Sequence, residues 1–126
     1  MSRVQKFEDL NIWGCSRDLV RRIYELSKTP SIIIDHGFLN QIQRAAVSVM
    51  SNIAEGFERG SNKEFIHFLY IAKGSAGELR SLLYVGFDLN YFNKECFDFL
   101  TNLAESIACQ IKGYIEYLRK TSLKNR

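Results

Sequence analysis

Phe97, Leu100, Ala104, Ile107, Ile111, Tyr114 and Leu118 recur at steps of three and four residues along the C-terminal part of the chain. Only an α-helix brings residues at that spacing onto one face, because a strand would send successive positions to opposite sides. The segment is therefore an amphipathic helix with a single apolar stripe, and such a stripe needs other apolar faces to cover it. The remaining sequence supplies three of them. A first helix is expected from about Glu8 to Lys28, with Leu10, Trp13, Val20 and Tyr24 on one side and Leu19, Ile23 and Leu26 beside them. Pro30 is read as its stop, followed by a connection from Ser31 to Gly37. A second helix spans about Phe38 to Arg59, with a stripe of Leu39, Ile42, Ala46, Val49, Met50, Ile53 and Phe57, and Gly60 stands where a helix-ending glycine is expected. The third begins at Ser61, where Ser61-Asn62-Lys63-Glu64 matches a capping box, and runs to about Leu89. Its core face is Phe65, Phe68, Leu69, Ala72, Ala76, Leu79 and Leu83. A turn follows, with Asn93 as the N-cap of the fourth helix.

Four long helices joined by short connections point to an all-α fold, an antiparallel up-and-down four-helix bundle. A three-helix core with a detached fourth helix is the competing architecture. The chain of 126 residues is read as one domain, 1–126, with a basic tail over about 121–126 expected to fray. A single proline leaves too few turns for an all-β chain. Seventeen basic against fourteen acidic side chains give a net charge of +3, a globular balance that permits an acidic partner without demanding one. Cys15, Cys96 and Cys109 form no Cys-x-x-Cys pair and read as reduced thiols. With no signal-peptide pattern and no apolar run of membrane-spanning length, the expected location is the cytoplasm, with no membrane partner.

The second helix has an unusual polar side. Between Gln41 and Phe57 only Arg44 and Glu55 are charged. Gln41, Arg44, Ser48, Asn52, Glu55 and Arg59 fall within a narrow sector, flanked by Ala45, Val47, Ala54 and Gly56. A wet face normally carries Lys and Glu freely. Small and weakly polar residues instead allow another backbone to approach, so the stripe is expected to pack against a helix or a second subunit. Buried charges there would need partners. Ser75 and Glu78 on the third helix are available, and Arg44 with Glu78 is the expected pair. The third helix also has a second apolar file, Ile66, Tyr70, Gly77 and Tyr84, which is a candidate homo-oligomer interface.

Catalytic chemistry finds no support. Glu64-x-x-His67 has the spacing of a helical di-iron ligand pair, but such a site needs two of these motifs and two further glutamates, and His36 lies before the second helix. No metal, cofactor or small-molecule substrate is expected. Glu55 and Glu78 fit structural pairing with arginine better than acid–base work. Candidate RNA-binding residues are Arg17, Arg21 and Arg22 on the first helix, Arg59 and Lys63 at the second turn, and Arg119, Lys120, Lys124 and Arg126 at the C-terminus. Phosphate contacts would require them to gather on one surface.

Several segments carry a family pattern. They are Phe7-Glu8-Asp9-Leu10 with Trp13, Gln41-Ile42-Gln43-Arg44-Ala45-Ala46-Val47-Ser48, Ser51-Asn52-Ile53-Ala54-Glu55-Gly56, Glu64-Phe65 with Phe68-Leu69, and Gly74-Ser75 with Glu78-Leu79. Together they resemble the bacterial proteins encoded by intervening sequences within 23S rRNA genes, often labelled ribosomal proteins. The resemblance covers about residues 7 to 118. Gln43 stands where a basic residue is expected beside Arg44, and Met50 where proline is common. The first departure removes a paired-basic element from this chain. The resemblance implies a four-helix bundle, assembly as a ring-like homopentamer, no established enzymatic activity, and a role in binding rRNA suggested by gene context. It marks Arg44, Ser48, Asn52, Glu55, Ser75 and Glu78 as a shared polar network.

Overall fold

The computed structural model describes residues 4–121. A 3-10 turn, Phe7–Asp9, leads through the extended Leu10 into α1, Asn11–Leu26. Three further long helices follow: α3, His36–Glu58; α4, Asn62–Asp88; and α5, Lys94–Thr121. Between α1 and α3 lies the four-residue helix α2, Pro30–Ile33. The sequence expected Pro30 only to stop a helix. It does stand beyond the end of α1, and it also opens α2 from the N1 position, where proline's missing N–H costs nothing.

The termini follow from local chemistry. The Asp35 carboxylate accepts the Phe38 N–H and starts α3. The Ser61 hydroxyl oxygen accepts the Glu64 N–H and starts α4, so the backbone half of the expected capping box is present. The Asn93 side chain accepts the Cys96 N–H, as expected of an N-cap. Gly60, at φ 89°, lets the chain reverse between α3 and α4.

Each long helix packs against the two that flank it, α1 and α4 on α3, α1 and α4 on α5. Contacts across the pairs run in opposite directions along the chain. Phe38 approaches Gly86, Ser48 meets Ser75, and Arg59 reaches Glu64. Tyr84 meets Phe97, Arg80 meets Glu105, and Tyr70 meets Arg119. Asn11 donates to Gln110, and Arg22 lies over Phe99. This is the antiparallel up-and-down bundle, and α5 is an integral member of it.

One core runs through its centre. From α4 come Phe65, Leu69, Ala72, Ala76, Leu79 and Leu83, all expected. From α5 come Leu100, Ala104, Ile107, Ile111, Ile115 and Leu118, with Phe97 and Tyr114 only partly buried at its margin. In α1 the buried face is Ile12, Ser16, Leu19 and Ile23. That is rotated from the expected side, and Tyr24 is exposed. Ser16 can be buried because its hydroxyl donates to the Ile12 carbonyl at 2.7 Å. In α3, Ala45 and Gly56, expected at the edge of the polar stripe, are buried with Ile42, Ala46, Val49 and Ile53. No described helix is long and apolar enough to cross a membrane.

Candidate functional site

The polar stripe of α3 lies along its seam with α4, and the structure divides it. At the centre, the Ser48 and Ser75 hydroxyls are 2.8 Å apart across the seam. The Asn52 amide donates to the Ser48 carbonyl at 2.8 Å and to the Ser48 hydroxyl at 2.9 Å. These three half-buried side chains form a compact interhelical cluster. The charged members stand outside it. Arg44 and Glu78 are exposed, and no ion pair joins them among the described residues. The expected Arg44–Glu78 pair is therefore corrected. Neither group is desolvated, so neither requires a partner, and two exposed long side chains gain little from pairing. Glu55 instead accepts from Arg59 one turn along α3, at 2.7 Å. It belongs to the end of the helix rather than to the cluster.

Small residues let the two helices close. A Cβ placed on Gly56 would lie 2.6 Å from the Phe68 Cβ and 3.0 Å from the Phe65 ring. Gly56 therefore serves the α3–α4 contact, which is what the helix spacing alone did not reveal.

The candidate interface residues sit on α4. Ile66 is partly buried against the core. Tyr70 and Tyr84 are exposed, at 47% and 56%, and Gly77 is exposed with open space beside it. Beside them Ile71 and Val85 are 41% and 43% exposed, two apolar residues that the sequence reading passed over. Within the span from Tyr70 to Val85, the charged residues are Glu78, which is exposed, and Lys73 and Arg80, which are partly buried on the α5 side.

The basic candidates separate into distinct environments. Arg21 and Arg22 both bind Asp18, at 2.6 Å and 2.9 Å. Their hydrogen bonds hold the Asp18 carboxyl below its ordinary range. Arg17 lies 5.7 Å from the Trp13 ring centroid on the same helix. Arg59 binds Glu55, contacts Glu64 at 3.6 Å, and covers the Phe68 ring at 4.8 Å. The Glu55 carboxylate raises its pKa further. Lys63 and Lys120 are exposed, and Arg119 donates to the Tyr70 hydroxyl oxygen at 2.5 Å. Lys124 and Arg126 lie outside the described residues. The expected α1 patch thus carries its own counter-charge, while Arg59 and Lys63 stand at the same end of the bundle as Arg119 and Lys120, where Asn62 donates to the Leu118 carbonyl.

Glu64, of the Glu64-x-x-His67 spacing, takes part in the α4 cap, and His67 packs edge-on against Phe68. Among the described residues no three His, Cys, Asp or Glu side chains gather as metal ligands.

The model of the 23S rRNA-intervening sequence protein family matches residues 8–113. The chain belongs to that family. The 23S rRNA-intervening sequence match includes the whole Ser48–Asn52–Ser75 cluster, Gly56 and the outward face of α4, and stops before Arg119 and Lys120. A crystal structure of a protein of unknown function from the S23 ribosomal protein family of Bacteroides thetaiotaomicron shares the fold, with a TM-score of 0.75 and 24% identity. The likeness covers 82% of this chain and 97% of that one. No curated protein matches the chain. Membership in the 23S rRNA-intervening sequence family agrees with the resemblance carried by the Ser-Asn-Ile-Ala-Glu-Gly segment, whose Asn52 holds the Ser48 hydroxyl that crosses the seam and whose Gly56 closes it.

Proposed function

We propose that the protein is a non-enzymatic bundle that assembles with copies of itself and presents basic surfaces to RNA. The outward face of α4 carries the assembly part. An exposed helix of this length ordinarily spends charge freely on its wet side. Here Ile71, Tyr84 and Val85 stand exposed around Gly74, Gly77 and Ser81, with Glu78 beside them, while Lys73 and Arg80 turn toward α5. Large apolar side chains beside small ones form a surface on which a second helix can lie closely. The resemblance implies a ring of five copies. The RNA part draws support from the family description and from the positive net charge.

Charge placed in the face tests assembly. I71E and V85E together are expected to reduce the particle mass while leaving the helical content intact, since both side chains are exposed within the single chain. An unchanged mass contradicts the proposed face. Affinity of the wild-type protein for structured rRNA fragments is expected to fall steeply with salt, as phosphate contacts release counterions. No binding at low salt contradicts the RNA part.

A further inference from the structure

Two hollows are lined by basic side chains, and they differ in how that charge is used: beside α1, Arg17 and Arg21 line a hollow together with Asp18, which Arg21 already binds. Lys73 of α4 and Lys112 and Arg119 of α5 line a depression of about 200 Å³ in the groove between the two helices, together with Tyr70, Ile115 and Glu116. We infer that this hollow binds a phosphate group.

Four observations carry the inference. First, the positive charge is not spent locally. Arg21, Arg22 and Arg59 each hold a carboxylate. Among the described residues, Lys73 and Lys112 are in no ion pair. The two lysines face one carboxylate, Glu116, so they alone leave the hollow a surplus of one positive charge. Second, the lining is rich in hydrogen-bond donors. The Tyr70 oxygen already accepts from the Arg119 guanidinium at 2.5 Å. A phenol both donates and accepts, so its own O–H remains to be given to an acceptor. Each lysine adds up to three N–H donors and no acceptor. A ligand for this set must be rich in acceptors and negative. Third, the size is restrictive. Pockets for drug-sized ligands measure about 300–1,000 Å³. A smaller hollow takes one group of a larger molecule, or a small anion. Fourth, Arg119 is held by Tyr70, with its guanidinium carbon 5.5 Å from the Tyr70 ring centroid. A held guanidinium loses less side-chain freedom when an oxyanion arrives.

The hollow borders the candidate assembly face on its α5 side, where Tyr70 is tied to Arg119. The geometry stands by itself. Assigning the phosphate to a polynucleotide backbone rests on the RNA reading above, so the experiment separates the two. In its first arm, the assembled full-length protein is titrated with inorganic phosphate against chloride at matched ionic strength, followed by amide chemical shifts. Saturable shifts around Tyr70, Lys73 and Lys112 are expected, lost in K73A/K112A and reached at several-fold lower phosphate in E116Q, where the repelling carboxylate is gone. Shifts no different from those of chloride, or phosphate binding unaltered in K73A/K112A, overturn the site. In the second arm, a labelled rRNA fragment is bound across a salt series. The log–log slope is expected to fall by about two in K73A/K112A, about one per lost lysine contact. RNA binding with an unchanged slope overturns the polynucleotide assignment. Phosphate bound at the hollow with no RNA binding in the wild type overturns the RNA reading and leaves a free-phosphate or phosphomonoester site. Circular dichroism and particle mass of both variants, expected to match the wild type, separate binding loss from unfolding.

Discussion

Gly56 is the position where the absence of one methyl group decides how closely two helices approach. A Cβ there would fall 2.6 Å from the Phe68 Cβ, next to the backbone of α4, and 3.3 Å from the Phe65 carbonyl oxygen. Neither neighbour is the free end of a flexible side chain. G56A is therefore expected to force the seam apart and to cost about 1–3 kcal/mol in a urea melt, as overpacking does. A variant of unchanged or higher stability contradicts the close approach. At the opposite end of α3, the Tyr91 hydroxyl donates to Asp35 at 2.5 Å, and the Phe38 N–H donates to the other carboxylate oxygen at 3.1 Å. Both bonds favour the ionised carboxylate. The Tyr91 bond, the larger cause, holds the Asp35 carboxyl below its ordinary value, and the carboxylate in turn raises Tyr91. The sign follows from which form is held. A lowered folded pKa means that this contact adds stability above the ordinary carboxylate range, and the contribution disappears as pH falls through the lowered value. Y91F is expected to move the Asp35 titration, followed by NMR, upward and to flatten the acid limb of the stability curve. An Asp35 titration that does not move contradicts the linkage.

Helix caps act at the scale of the element. The Ser61 hydroxyl occupies one of the otherwise free N–H groups at the start of α4. S61A is expected to cost about 1 kcal/mol by thermal melting. No change would mean that water replaces the serine there without loss. These caps are also where the sequence was most readable. Ser61, Asn93 and Gly60 act through their own local chemistry, so their roles follow from their neighbours along the chain. The apolar faces of α4 and α5 were readable because wide stripes of Leu, Ile and Phe leave one phase of the 3.6-residue period. In α1 the phase was less determined. Ser16 looks polar and is buried, because a hydroxyl that donates to the carbonyl one turn back carries no unmet bond inward. Trp13, Val20 and Tyr24 look like core and sit at its edge or outside it. The polar stripe was visible from its shortage of charge, and Ser48, Asn52 and Ser75 meet at its centre. The expected Arg44–Glu78 pair does not form, because pairing depends on burial, and burial is set by how the helices come together. The hollow of Lys73, Lys112 and Arg119 was hidden for the same reason. Its residues come from two helices that lie far apart in sequence, and only their antiparallel packing assembles them.

For the whole molecule, the contrast is between a well-closed interior and an exterior that is unevenly finished. Leu19, Ile23, Val49, Ile53, Leu69, Leu79, Ile107 and Ile111 are fully enclosed by a single chain, so the fold does not need a second copy to complete its core. Yet Tyr84, Ile71 and Val85 remain exposed along α4, away from that core. The same surface holds few charges to keep copies apart. Assembly is the reading that accounts for both facts. The most direct test is the mass of the wild-type protein in solution by light scattering at micromolar concentration. The account predicts a defined multiple of 14.6 kDa. A particle of 14.6 kDa would contradict it.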